Sequence, residues 1–298
     1  MGALDTTEHR WSPTAGEIVN DRWQLDRRVT AGTSVETWHG RDLQLQRDVA
    51  LQVIREEDLD DEDAQEAFKR RVSLLASVEH ANVIRVFDVV NIGDVRLGVW
   101  EWVDGIVLEQ ALRNRLWGAT AAACFGSQLA AGLSALHVAS LVHRNVSPTN
   151  LMIASDGIVK LGGGGRIRNI VSSSTLTDQD LLVRETAYLA PEQVNGSSRD
   201  ARIDVFAAGV VMWELVTGRR AIDLVDEAGP PELPRPSDET RGIPDVLDDT
   251  IYAATRLEPA GRPADGTELY ELLREAVPPR PAAVLARSLR DLDLAGGS

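Results

Sequence analysis

Few residues in this 298-residue chain combine a reactive side chain with a neighbour that would activate it. Cys124 is the single cysteine and has no basic partner near it in sequence, so it reads as a small core residue. One cysteine also excludes a disulfide framework or a CxxC metal site. Lys69 and Lys160 are the only lysines; every other side-chain cation of the Lys/Arg class is an arginine. Lys69 lies two residues before Arg71, a spacing that does not share a helix face, and both lysines read as solvated. His143 opens the polar run His143-Arg144-Asn145-Val146-Ser147-Pro148-Thr149-Asn150. Residues 162–165 are four consecutive glycines. Such a run can cradle phosphate, but no acidic or basic partner is placed to give these glycines a chemical role, and it reads as an unconstrained loop. In Ser172-Ser173-Ser174-Thr175-Leu176-Thr177-Asp178, Thr175 and Thr177 are candidate phosphorylation sites, with a plain polar loop as the alternative.

The charge balance narrows the function class. With 31 Lys+Arg against 46 Asp+Glu, the formal charge is −15, the wrong sign for a face that neutralises nucleic-acid phosphates. No run of 18 apolar residues occurs, so no membrane span is expected. The start, Met1-Gly2-Ala3-Leu4-Asp5-Thr6, fits the loose myristoylation pattern and reads as a chance match. With no secretory signal in the sequence, a cytoplasmic location is expected, either alone or as the cytoplasmic part of a larger protein.

The elements that must position these residues follow from periodicity. Residues 1–20 read as a polar tail. Strands are expected over 23–29, 35–40 and 48–54, from their β-branched and aromatic content between polar turns. An acidic run over 56–63 precedes a helix faced by Phe68, Val72, Leu75 and Ala76, where negative charge favours the helix start. Two further strands fit 83–89 and 95–102. Beyond Gly105 the pattern becomes helical. Phe125, Leu129, Leu133 and Leu136 form one buried stripe, and residues 205–216, apolar on nearly every face and stopped by Gly218, read as a helix buried inside a domain. Between them, Asp156-Gly157 marks a hairpin joining short strands at 151–153 and 158–161. Residues 229–244, rich in proline and acid, read as a long exposed loop. A last amphipathic helix fits 266–276, ahead of a Pro-rich polar end.

The order of these elements and their motifs resembles the protein kinase fold, in particular bacterial Ser/Thr kinases of actinobacterial type, over roughly residues 20–277. His143 to Asn150 looks like the catalytic loop H-R-D-x-K-P-x-N. Tyr188-Leu189-Ala190-Pro191-Glu192 is similar to the Y-x-A-P-E that closes the activation segment. Asp204 stands at the family's helix-start aspartate, and Arg262 matches the arginine that pairs with the A-P-E glutamate. The resemblance implies an α+β, bilobal protein kinase-like fold with a small β-rich N-lobe at 21–104 and a larger helical C-lobe at 105–277. A polar tail over 1–20 and a Pro-rich C-terminal extension over 278–298 flank them. His143, Arg144, Glu192, Asp204 and Arg262 would be its structural residues.

At the positions that the family uses for chemistry, the residue types differ. Phosphoryl transfer relies on positioning, a lysine and metal ions on the phosphates, and an aspartate orienting the attacking hydroxyl. Here Gln52 stands in the lysine's place and Arg71 in that of its glutamate partner. Of the phosphate-covering loop only Gly32 remains, with Thr30 and Val35 at neighbouring glycine positions. Asn145 replaces the aspartate, Ser147 the catalytic-loop lysine, and Gly163 the metal-binding aspartate; Asn150 alone is retained. Aligned with the family's hinge, Trp100 falls at the gatekeeper position ahead of Glu101 and Val103, with Ala50 also in the vestigial cleft; core packing and a plugged nucleotide pocket are compatible readings of it.

These substitutions lead to the expectation of a non-enzyme: an inactive pseudokinase that regulates or scaffolds, needing no cofactor or metal and no nucleic acid. The resemblance implies protein partners, namely an active Ser/Thr kinase and a forkhead-associated-domain protein that reads phosphothreonine. Alternatives are a nucleotide-binding switch that works without metal, and a weak, atypical Ser/Thr kinase.

Overall fold

The computed structural model describes residues 11–31, 35–54, 72, 75–92, 95–112, 117–162, 186–194, 200–225 and 232–296. These residues divide into two compact units.

The first unit is a six-stranded antiparallel sheet. Its strands are β1 (Ile18–Val19), β2 (Trp23–Ala31), β3 (Val35–Asp42), β4 (Arg47–Ile54), β5 (Val86–Ile92) and β6 (Val95–Glu101), in the order β1-β2-β3-β4-β6-β5. Strand alternation places Val49, Leu51 and Val53 on one buried face, where Leu25, Leu97 and Val99 join the core. The β3–β4 turn is organised by the buried Asp42, whose carboxylate accepts from the amides of Gln44 and Leu45. Arg22 grips the same carboxylate with two nitrogens at 3.1 and 2.9 Å, and this guanidinium holds the Asp42 carboxyl below its ordinary pKa. Two local expectations change. Ile18 and Val19, within the segment read as a tail, pair with Gln24 and Trp23. Val72 and Leu75 are buried as expected, but Ala76 is exposed.

The second unit has a small sheet, β7 (Gly105–Val107), β8 (Leu151–Ala154) and β9 (Val159–Leu161), in that order. Its helices are α1 (Leu108–Leu112), α2 (Gly118–Val138), α3 (Pro191–Val194), α4 (Arg202–Thr217), α5 (Pro236–Glu239), α6 (Asp245–Ala254), α7 (Gly266–Leu273) and α8 (Pro281–Gly296). Helix α4 is buried along its whole length from Ile203 to Val216 and ends at Gly218, whose φ of 67° is the left-handed cap that glycine supplies without strain. Helix α2 is long and apolar enough to cross a membrane by length and composition, yet 72% of its most apolar window is buried in the fold. Phe125, Leu129, Leu133 and Leu136 are all fully buried there, which makes α2 a core helix.

The described part of the proline-rich stretch, residues 232–244, is largely exposed as its composition implies, but it contains helix α5 and is tethered at a few points. Leu233 and Pro236 are buried, and the Trp213 indole donates to the Pro234 carbonyl at 2.9 Å. Asp248 of α6 accepts from the Ser237 amide and hydroxyl and from Arg235. The polar end after residue 278 likewise contains helix α8, with Leu285 and Ala286 buried. Composition exposes these segments on paper; a few apolar residues and one buried carboxylate tether them.

Candidate functional site

The loop from His143 to Asn150 is held from below by one carboxylate. Asp204, in the first turn of α4 and 1% exposed, accepts from the His143 and Arg144 amides at 2.7 Å each. Its third donor is His137 Nε2 at 2.9 Å. His137 Nδ1 accepts from the Gly266 amide, so the ring's proton sits on Nε2, the nitrogen that faces Asp204. Arg144 occupies the left-handed region (φ 66°), and its carbonyl is held by Gln193 Nε2 at 3.2 Å. A non-glycine residue persists there because the surrounding contacts over-determine it.

The loop's side chains form a short neutral chain. Asn150 Nδ2 donates to the Asn145 carbonyl at 2.9 Å and to Ser147 Oγ at 3.3 Å, and Ser147 Oγ lies 2.9 Å from Thr149 Oγ1. The Gly162 amide donates to the Asn150 carbonyl at 2.9 Å, joining the end of β9 to the end of the loop. None of these four side chains is a carboxylate that could take a proton as the family's aspartate does.

Two buried clusters fix the segment that closes at Glu192. The Arg262 side chain is fully buried, and all five of its N–H groups find acceptors. Nε donates to the Arg256 carbonyl; one terminal nitrogen bonds Glu192 and the Arg202 carbonyl, the other Glu192 and the Leu257 carbonyl, at 2.6–3.2 Å. Nearby, the Tyr188 hydroxyl donates to Glu214 at 2.9 Å, and the Ala221 amide donates to the other Glu214 oxygen at 2.8 Å. Burial raises the Glu214 pKa to about 7 and that of Tyr188 well above its ordinary value.

In the first unit, Gln52 is 6% exposed on β4, opposite Thr37 and Gly98, with Ala50 two residues before it between His39 and Trp100. Trp100 is 2% exposed, which a core residue and a residue plugging the pocket share. The Glu101 carboxylate accepts from the Arg85 amide at 3.1 Å. The backbones of Thr30 and Val35 belong to β2 and β3, and Val103, in the second unit, is buried. Gly32, Arg71, Gly163, Thr175 and Thr177 lie outside the described residues.

The metal ion that the family implies would need oxygen ligands. Among the described residues no group of three or more His, Cys, Asp or Glu is placed to hold one; Asn150, donating to Asn145 through its amide nitrogen, presents its amide oxygen as one hard ligand. The described residues by themselves do not complete a site for such an ion. Burial lifts the Cys124 thiol to about 11, so it is no nucleophile at neutral pH.

Sequence reasoning missed His137, Gln193 and Glu214. Glu214 was findable, as a lone carboxylate in an otherwise apolar buried helix. His137 and Gln193 act through loop contacts that no periodicity reports.

Comparison with known proteins gives the lineage. The protein kinase domain family matches residues 23–229, more than half of the chain. Serine/threonine-protein kinase PknL of Mycobacterium tuberculosis is 30% identical over 278 residues, covering 90% of this chain and 69% of PknL. Serine/threonine-protein kinase PrkC of Bacillus subtilis is 26% identical over 254 residues, covering 83% of this chain and 39% of PrkC. The crystal structure of the M. tuberculosis PknI kinase domain superposes with a TM-score of 0.67 at 21% identity, covering 90% of this chain and all of that one. The relatives are named Ser/Thr protein kinases, and this overturns the expectation of a non-enzyme. The physical reason is that transfer depends largely on positioning, which the anchors at Asp204 and Arg262 retain, and that losses of single groups do not add. By its family match, its relatives and its fold, the chain belongs to the protein kinase domain family.

Proposed function

We propose that this domain is a slow Ser/Thr protein kinase whose main role is regulatory, binding protein partners on a kinase scaffold and serving as a phosphorylation target. The observation that carries the reading is a contrast within one loop. Asp204 holds the His143 and Arg144 amides at 2.7 Å, while the next residue is the neutral Asn145. An asparagine can orient an attacking hydroxyl but takes no proton, and general-base assistance contributes roughly 10²–10⁴ in rate. Gln52 can hydrogen-bond a phosphate oxygen but brings no charge to it. The names of the relatives support Ser/Thr specificity. The two lobes are taken as 21–104 and 105–277. The partners we propose are an active Ser/Thr kinase acting on Thr175 or Thr177 and a forkhead-associated domain that reads the product.

The test is transfer of labelled γ-phosphate from ATP to the chain itself and to a generic protein acceptor. The wild type should run far below the roughly 1–100 s⁻¹ of ordinary kinases, and Asn145→Asp should raise the rate by about 10²-fold or more. A wild-type rate within the ordinary range overturns the reading, as does an absence of label with both proteins. Mass spectrometry after incubation with an active Ser/Thr kinase checks the target role; unmodified Thr175 and Thr177 would remove it.

A further inference from the structure

Helix α8 is joined to the catalytic loop by a continuous set of contacts inside the second unit. The hairpin β8–β9 starts where that loop ends, at Asn150, and turns at Asp156-Gly157. Gly157 has φ 86°, which the turn itself demands. A second demand is independent of φ: a Cβ on Gly157 would overlap the Ala282 carbonyl of α8 and come 2.7 Å from the Ala286 amide nitrogen. The backbone of α8 therefore rests directly on the turn, and Leu285, fully buried, and Ala286 secure the helix, which packs on α2.

From the turn, the contacts run through Gln128 of α2. Its amide nitrogen donates to the Gly157 carbonyl at 3.1 Å, and its oxygen accepts from the Val159 amide at 3.1 Å and from Asn82 Nδ2 at 3.2 Å. Asn82 also donates to the Val159 carbonyl at 2.8 Å, and its carbonyl accepts from the Leu161 amide. At the open end, the Gly162 amide meets the Asn150 carbonyl, and the Asn150 side chain holds the Asn145 carbonyl. Strands of four and three residues make too few ladder bonds to hold a hairpin by themselves.

We propose that α8 is a strap: docked on the Gly157 turn, it holds the β8–β9 hairpin and with it the Asn150–Asn145 contact, and its release loosens both. The strap ties the loop's order to a helix that follows the last element of the kinase-like core in sequence. Hydrogen exchange on the full chain tests it with two variants that free α8 from opposite sides. Gly157→Asn keeps a residue that tolerates the left-handed turn but puts a Cβ against α8. Leu285→Asp leaves the hairpin untouched and removes the buried anchor of α8; Leu285→Ala makes the same comparison if the aspartate variant does not fold. In both, the Val159 and Gly162 amides should exchange at least about tenfold faster, with amides at the centre of α4 unchanged. Arg287→Asp, at an exposed position of α8, should behave as wild type. Hairpin amides that keep wild-type exchange in the Leu285 variant, whether α8 frees or stays protected, overturn the strap; so does loosening in Gly157→Asn alone.

Discussion

Asp204 and Asn145 belong to one loop system and answer to different physics. Asp204 is a buried charge with three donors, and Arg262 is a buried charge with five bonds. Removing a partner from such a group leaves an uncompensated charge in a low dielectric, so its chemical type is fixed by the fold's stability. Asn145, Ser147 and Thr149 are neutral groups whose side chains are not required to neutralise a buried charge. Of the three, Ser147 is buried and hydrogen-bonded to Asn150 and Thr149, while Asn145 is half-buried and Thr149 exposed. Intact anchors beside altered reacting positions are the contrast on which the proposed slow kinase rests.

The most severe way to break this comparison is to attack an anchor. Arg262→Met should cost about 3–5 kcal/mol in urea denaturation, because it strands Glu192 and three carbonyls together. Arg262→Lys should recover little of it, since an ammonium cannot reproduce the planar five-donor pattern. A loss under about 1 kcal/mol for the methionine variant would show that the cluster is decorative and the anchors are not what holds the loop.

A smaller effect distinguishes anchors by pH. Glu214 has a folded pKa of about 7, above the 4.5 of an ordinary glutamate, and burial is the main cause. The folded state therefore binds a proton that the unfolded chain releases between those values. Its contribution to stability is full below pH 4.5 and is lost as pH rises through 7. Asp42 has the opposite sign, its carboxyl being held down by Arg22, so it opposes Glu214 in the wild-type curve. Comparison with Glu214→Gln isolates the one group. The wild type's stability relative to that variant should be roughly 2 kcal/mol greater at pH 5 than at pH 7.5. A pH-independent difference would mean that Glu214 stays ionised against Tyr188 at every pH tested.

Much of this scaffold is legible in the sequence because it rests on short-range rules. β-Branched and aromatic content between polar turns places β3 and β4, the apolar run with Gly218 places α4, and Asp156-Gly157 places the β8–β9 turn. Asp204, Glu192 and Arg262 were legible as family motifs before any geometry was known. The contacts that make them anchors were not, since His137 to Gly266 and Gln193 to Arg144 join residues far apart in sequence. The tethers of segments 232–244 and 281–296 escape sequence reading for a related reason. Proline and charge dominate their composition, while Trp213, Asp248 and the Gly157 turn, all distant in sequence, provide what they dock on.

The mildest test is the sharpest for the comparison, since it asks whether a reacting position is free of structural duty. The Asn145 carbonyl accepts from Asn150, a contact that a side-chain substitution leaves in place. Its side chain is half-buried, and aspartate is close to it in size and shape. Asn145→Asp should therefore shift the urea midpoint by no more than about 0.5 kcal/mol in stability terms, even as it raises the transfer rate. A loss of about 2 kcal/mol or more would place Asn145 among the anchors. The two sets of residues would then no longer be separable, and slow chemistry would become a condition of this fold's stability.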